Sequence, residues 1–151
     1  MKILIAYDGS AAAAAALQEV RLRPWPARTQ VRLVSVVDWP VALELPFPPG
    51  PEADIAGVCA VLTEKAKLSL AKAEENLSSR ADLDVTSELR EGSPKQSILD
   101  AIEAWKPDLV MAGSTGKSGL KRLLVGSVCH ALVTHAPCNV EVVKTSVAGG
   151  R

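Results

Sequence analysis

The sequence has few cysteines and no net charge, and each shortage argues against a class of protein. Its three cysteines, Cys59, Cys129 and Cys138, are an odd number with no Cys-x-x-Cys pair and no histidine-rich metal spacing. We therefore expect neither a disulfide framework nor a zinc site. We expect the cysteines to be reduced thiols in the cytoplasm. Seventeen basic residues balance seventeen acidic ones. We therefore expect no overall attraction to nucleic acid or to an anionic membrane.

Long apolar runs are also missing. No segment reaches the roughly 18 apolar residues of a membrane span. Asp8 interrupts the first apolar run, so residues 1–20 do not have the pattern of a signal peptide. The chain has 151 residues, of which 48% are hydrophobic, and this is enough for one domain with a full core. We expect a single soluble domain over residues 1–146 and a flexible tail over residues 147–151.

The most informative stretch runs from Pro107 to Pro137. Four apolar residues at 109–112 are typical of a strand buried on both faces, and glycines follow at 113, 116, 119 and 126. A helix pattern then continues to Pro137, with Ser127 as its expected N-cap. Strand, glycine-rich loop and helix suit phosphate binding, because glycines let backbone N–H groups approach an anion and a helix start adds unpaired donors.

The basic side chains and the glycine spacing of this loop bear on which kind of phosphate site it could form. Lys117, Lys121 and Arg122 place positive charge around the glycines, although three such residues in a loop are also typical of an ordinary solvated surface. The segment is not a P-loop, because Met111 stands where that motif needs a glycine, and Gly-x-Gly-x-x-Gly is absent. The pattern is Gly113-x2-Gly116, nine residues, then Gly126-Ser127.

This spacing resembles the nucleotide-binding signature of the universal stress protein family. Four other segments resemble landmarks of that family: the first strand and turn, the end of the second strand, the turn before the third helix and the closing strand. They are residues 2–10, 34–38, 92–94 and 136–143. The resemblance covers nearly the whole chain. It implies a nucleotide-responsive stress or signalling protein that binds ATP with Mg²⁺, forms a homodimer through its fifth strand and acts on an unknown downstream protein.

The resemblance also implies which residues bind the nucleotide. Asp8 matches the acidic residue that contacts the nucleoside, and Val36 matches a position whose backbone meets the adenine. The remaining matches are the phosphate contacts, their neighbours and the end of the first strand. They are Gly113, Gly116, Gly126 and Ser127; Ala112, Val128 and Cys129; and Ala6 and Tyr7. The positive charge of Lys117 adds this residue to the expected nucleotide-binding set.

The side chains at three of these positions, Asp8, Ala112 and Cys129, affect how a nucleotide would bind. A carboxylate at Asp8 would repel phosphate, so it makes sense facing the ribose hydroxyls; the alternative is an Asx turn that only shapes the backbone. Ala112 stands where the family often has the bulkier methionine, and Cys129 where it often has a hydroxyl residue. The smaller Ala112 side chain beside the adenine and the weaker hydrogen-bond donor at Cys129 would lower the affinity for the nucleotide. Neither change removes the backbone amides that would bind the phosphates.

Alternating strand and helix patterns predict an α/β fold, a single doubly wound domain with helices on both faces of a five-stranded parallel sheet. Strands are expected at 2–7, 31–37, 83–89, 109–112 and 140–143, and a long core helix at 53–80. Because the first and fourth strands are the most apolar, the expected order is 3-2-1-4-5. The proline-rich segment 40–51 is either a lid or a connector.

Two other functions remain open on these residues. One is a signalling module of the same fold without a ligand, and the other is an enzyme, such as a weak ATPase. The turn Asp8-Gly9-Ser10 lacks the Ser-Gly-Gly-x-Asp-Ser loop of adenylating transferases and the acidic pair of a phosphorelay receiver. His130 and His135 are expected to have a surface or capping role on the last helix rather than to act as general bases.

Overall fold

The computed structural model describes residues 1–38, 55–115 and 125–145. Its five strands are β1 Lys2–Ala6, β2 Thr29–Val37, β3 Leu83–Glu91, β4 Leu109–Gly113 and β5 Asn139–Val143. The helices in this part of the chain are α1 Ala11–Leu22, α2 Ile55–Ser78, α3 Pro94–Trp105 and α4 Ser127–His135. The proline-rich segment and the expected tail lie outside the described residues. No helix among the described residues is long and apolar enough to cross a membrane.

The strands form one parallel sheet in the order β3-β2-β1-β4-β5. Both the predicted fold class and the predicted strand order are therefore confirmed. Helices α1 and α2 pack on one face of the sheet, and α3 and α4 pack on the other. This doubly wound arrangement follows from right-handed crossovers between parallel strands.

The core consists of two apolar clusters separated by the sheet. Alternate residues of β1 point into different clusters: Ile3 and Ile5 into the one under α1 and α2, and Leu4 into the one under α3 and α4. All three side chains are fully buried. This is why the strand has an unbroken apolar sequence, since a strand covered on both faces has no solvent side for a polar residue.

Helix α1 begins directly after Ser10. The Ser10 hydroxyl accepts a hydrogen bond from the Ala13 N–H at 3.1 Å and caps the helix. Ala12, Ala13 and Ala16 are buried against the sheet. Their small side chains allow the helix axis to lie close to the strands beneath it.

The end of α1 is fixed by two arginines. Arg23 donates to both carboxylate oxygens of Glu141 on β5, at 2.7 and 2.5 Å, and also pairs with Glu19. The Arg23 hydrogen bond lowers the pKa of the Glu141 carboxyl. Arg80, just after α2, donates to the carbonyl oxygens of Val20, Arg21 and Arg23. A charged residue on the edge strand is thus partnered, and the exposed carbonyls of a helix end are satisfied.

The long helix departs from its prediction in its first half. The spacing predicts one core face from Ile55 to Leu77, and Leu70, Ala73 and Leu77 are indeed buried. Val58 and Leu62 are instead 39% and 36% exposed. That part of the prediction is wrong, because periodicity identifies an apolar face but does not show how far the sheet extends beneath it.

Candidate functional site

The candidate site lies at the carboxyl ends of β1 and β4. These two strands are neighbours, with Ala6 opposite Ala112. The chain leaves β1 for α1 on one face of the sheet and reaches α4, after β4, on the other. Connections that diverge in this way leave a crevice at the strand ends, which is where open α/β sheets bind ligands.

A tight turn follows β1. Gly9 has a φ of 76°, a left-handed conformation that glycine adopts without strain. The Asp8 carboxylate accepts a hydrogen bond from the Ser10 N–H at 2.9 Å. The Asx turn considered from the sequence is therefore present, and it orients Asp8 at the start of α1.

Asp8 also lies near the first turn of α4. Its negative charge contributes, after burial, to raising the pKa of the Cys129 thiol. The hydrogen bonds from Ser10 to the Thr115 carbonyl and from Cys129 to the Gly113 carbonyl hold both segments at the end of β4. Two segments separated by about 120 positions in the sequence thus meet at this point, as the strand order predicts.

The two ends of the glycine-rich loop come together beside this turn. Ser114, directly after β4, donates its N–H to the Val143 carbonyl at 2.8 Å, and its own carbonyl accepts from the Gly126 N–H at 2.8 Å. The Ser10 hydroxyl lies 3.4 Å from the carbonyl oxygen of Thr115, to which it donates. The described ends of the loop are therefore joined to each other at Ser114 and Gly126, and Thr115 contacts the residue that caps α1. Gly116 and Lys117 lie outside the described residues.

Helix α4 begins one residue earlier than the sequence predicts. Gly126 is the N-cap, with no side-chain capping bond, and its carbonyl accepts from the His130 N–H. The prediction that Ser127 caps this helix is wrong, because the bond between Gly126 and Ser114 sets where the helix starts. Ser127 is the first helical residue and is exposed. Within the described ranges, the first-turn N–H groups of α4 therefore have no side-chain cap, at a position suited to an anion.

An apolar wall closes the α3 and α4 side of the crevice. Five of the predicted site residues belong to one cluster there: Ala6, Ala112 and Cys129 are buried, and Val36 and Val128 pack against them. The side chain of Tyr7 packs on the opposite face of the sheet. The structure therefore brings most of the predicted residues together and turns the Tyr7 ring away.

Cys129 and Gly113 are joined by a hydrogen bond. The buried thiol donates to the Gly113 carbonyl, with 2.7 Å between sulfur and oxygen. Burial, the larger effect, and the Asp8 charge both raise the thiol pKa. The sulfur therefore stays protonated near neutral pH and acts as a weak donor rather than a nucleophile.

Gly113 has a packing role that sequence reasoning did not identify. A Cβ built at this position would lie 2.4 Å from the backbone carbon of Ala12 and 2.6 Å from the Ala13 nitrogen. The close approach of α1 thus requires a glycine here, whatever it contributes to a ligand. Ser114 and Thr115 were also missed, because their contributions are backbone groups, and any residue type carries those.

Comparisons with known proteins agree with this architecture. A universal stress protein of Methanocaldococcus jannaschii is 31% identical over 143 residues, which cover 95% of this chain and 81% of that protein. The solved structure of the hypothetical protein MJ0577 is 27% identical, with a TM-score of 0.84 over 97% of each chain. An Arabidopsis thaliana universal stress protein family structure with AMP bound is 16% identical, with a TM-score of 0.63 over 97% of this chain and 93% of that one.

The family assignment rests on the extent of the match as well as on the fold. The model of the universal stress protein family matches residues 1–144, which include every described strand and helix. The landmark segments noted in the sequence all lie within this range. The chain belongs to the universal stress protein family.

Proposed function

We propose that the crevice binds ATP with Mg²⁺ and that the protein is a nucleotide-responsive stress or signalling factor whose hydrolysis of ATP is at most slow. One observation supports this most strongly. The Asp8 turn, the closed ends of the glycine loop and the start of α4 converge beyond β1 and β4. The three free thiols fit a reducing cytoplasm, which we propose as its location.

The arrangement assigns a part of the nucleotide to each side of the crevice. The first-turn amides of α4 and the glycine loop suit the negatively charged phosphates. Asp8 suits the ribose hydroxyls, which donate hydrogen bonds to a carboxylate. Ala6, Ala112 and Val36 lie in one apolar cluster at the strand ends, a surface that suits a flat apolar base. AMP bound in the Arabidopsis relative supports an adenine nucleotide as the ligand.

Binding rather than fast catalysis is favoured by the position of the histidines. His130 and His135 are both exposed on α4, as the sequence predicts. An efficient phosphoryl-transfer site needs a positioned group that orients water or accepts a proton. Exposed imidazoles such as these are poorly suited to that task.

The substitution Asp8→Asn distinguishes the turn-forming role of the Asp8 side chain from its proposed contact with the ribose. The amide oxygen of asparagine can still accept from the Ser10 N–H and keep the Asx turn, but it has lost the charge and one of the two acceptors for ribose. We expect the dissociation constant for ATP with Mg²⁺ to rise about tenfold, which is about 1.4 kcal/mol. The melting temperature should stay close to that of the parent chain. Isothermal titration and thermal unfolding measure the two effects.

Asp84→Asn is the matched control, because Asp84 is exposed on β3, at the other end of the sheet. It removes one negative charge without touching the crevice and should leave affinity unchanged. Equal affinity of the Asp8→Asn and parent chains would limit Asp8 to shaping the turn. No measurable heat with the parent chain would favour the ligand-free signalling module instead.

We also propose a homodimer that pairs through β5. This strand is the last in the sheet, so one of its edges faces away from β4. The Val143 carbonyl accepts from Ser114 on the β4 side, and backbone groups alternate along a strand. Val140 and Val142 therefore direct their N–H and carbonyl groups outward, where a second copy can pair with them.

Val140→Pro should disrupt this pairing and leave the monomer folded. Proline removes an outward N–H and keeps the bonds to β4, which an edge strand tolerates. We expect the sedimentation of the variant to shift from dimer to monomer, with an unchanged far-ultraviolet circular dichroism spectrum. A variant that remains dimeric would place the interface elsewhere.

A further inference from the structure

Helix α2 carries large aliphatic side chains on its outward face. Val61 and Leu68 are 67% and 64% exposed, and their spacing of seven residues places them two turns apart on one line. The buried residues Leu70, Ala73 and Leu77 lie on the opposite side of the helix. We name Val61 and Leu68 the apolar stripe.

Charges of opposite sign flank the apolar stripe. At 100° per residue, Glu64 and Glu75 fall on one side of it, and Lys65 and Lys72 fall on the other. All four side chains are exposed. Glu64 forms an ion pair with Lys67 at 2.9 Å, but both partners are more than half exposed, so this pair is weak and exchangeable. The helix thus has an acidic edge, Glu64 and Glu75, and a basic edge, Lys65 and Lys72.

This distribution is self-complementary in one orientation. We propose that the apolar stripe docks a second copy of this chain, with the two α2 helices parallel and related by a twofold axis along them. Each residue of the stripe then faces its own equivalent, and the acidic edge of each copy meets the basic edge of the other. Glu64 lies about 1.5 Å along the axis from Lys65 of the second copy, and Glu75 about 4.5 Å from Lys72.

The reversed orientation lacks this match. An antiparallel twofold pair brings each edge against the same edge of the other copy, so that acidic residues face acidic ones and basic residues face basic ones. Like charges in contact are destabilising, which selects the parallel pair. A different protein could match α2 if the helix carried charges of only one sign. Opposite charges on the two edges of the apolar stripe are what a second copy of the same helix requires.

The position of α2 allows this contact alongside other interfaces. The helix packs on β2 and β3, at the end of the sheet away from β5. Pairing through α2 therefore leaves the β5 edge accessible. Since two helices bury less than the about 1,600 Å² of a standard interface, we expect a weak contact that depends on protein concentration.

Sedimentation velocity over a range of protein concentrations tests the contact. We expect Leu68→Glu to raise the dissociation constant of the α2 association at least about tenfold, because it places a charge within the apolar stripe, where the contact would bury it. Leu22→Glu is the matched control, since Leu22 is 75% exposed at the end of α1. The control should associate like the parent chain. Identical concentration dependence of the parent and Leu68→Glu chains would overturn the proposal and leave the stripe to a different partner.

Oxidative cross-linking tests the orientation. In a parallel pair, Val61→Cys and Leu68→Cys should each form disulfide-linked dimers with themselves, because equivalent residues face one another within the about 7 Å that a disulfide spans between Cα atoms. An antiparallel pair can place only one of the two positions on its twofold axis. Leu22→Cys and the parent chain measure background oxidation. Cross-linking at one position only, or at the level of Leu22→Cys, would contradict the parallel pair.

Discussion

Gly113→Ala is expected to destabilise the protein by about 3 kcal/mol, at the upper end of what an overpacked core costs. The added methyl group would lie 2.4 Å from the backbone carbon of Ala12. Backbone atoms cannot rotate away as the end of a flexible side chain can, so α1 must move off the sheet as a unit. Urea unfolding of the parent and variant chains measures the difference in the free energy of unfolding.

Gly126→Ala is the matched control for this loop. Gly126 has a φ of −57°, which any residue can adopt, and its role is that of an N-cap without a side-chain bond. Its replacement should cost less than about 1 kcal/mol. If both variants unfold at the same urea concentration, the close approach of α1 does not determine the residue type at position 113.

Arg80→Met is expected to cost about 3 kcal/mol, since hydrogen bonds to charged groups each contribute more than neutral ones. The guanidinium donates to the carbonyls of Val20, Arg21 and Arg23, at 3.3, 2.9 and 2.7 Å, and forms an ion pair with Asp82. Methionine keeps much of the aliphatic volume but removes the side-chain donor from the Arg21 and Arg23 carbonyls, whereas the Val20 carbonyl keeps its 2.7 Å hydrogen bond from the Trp25 indole N–H. Thermal unfolding should show a clear fall in melting temperature.

Two further variants identify the cause of this loss. Arg80→Lys keeps the charge but not the planar fork of donors, so it should recover only part of the stability. Lys67→Met removes an exposed ion pair with Glu64 and should change stability by less than about 1 kcal/mol. Full recovery by Arg80→Lys would show that charge, rather than the geometry of the donors, holds the end of α1.

The fold could be predicted from local patterns because those patterns reflect burial directly. The unbroken apolar runs of β1 and β4 require central strands, whereas the charged Glu141 fits only an edge. Alternating strands and helices then leave few topologies. The predicted order also implies a crevice beyond β1 and β4, since the carboxyl ends of neighbouring parallel strands adjoin.

The details that escaped prediction depend on contacts between distant segments. Nothing near Gly113 in the sequence indicates that α1 approaches it, because the relevant neighbours are Ala12 and Ala13. The start of α4 is set by the carbonyl of Ser114, and the donors to the end of α1 come from Arg80. Capping preferences and periodicity describe a segment by itself and are overruled where another segment supplies the partner.

The role of Asp8 could be predicted only in part from the sequence. Two interpretations were available from the sequence, a turn residue and a nucleoside contact. The turn is present, and the hydrogen bond from Ser10 to the Thr115 carbonyl places this turn beside the end of β4. The geometry thus allows one side chain to serve both purposes, and Asp8→Asn is the substitution that distinguishes them.

The most direct test of a nucleotide in this crevice is a backbone amide nuclear magnetic resonance titration of the parent chain with ATP and Mg²⁺. We predict the largest shifts at the amides of Asp8, Gly113, Gly126 and Ser127, while those of the exposed half of α2 stay unchanged. Saturable shifts at these amides would locate the ligand where β1 and β4 end. A titration that leaves them unmoved, or that shifts residues elsewhere instead, would contradict the proposed site.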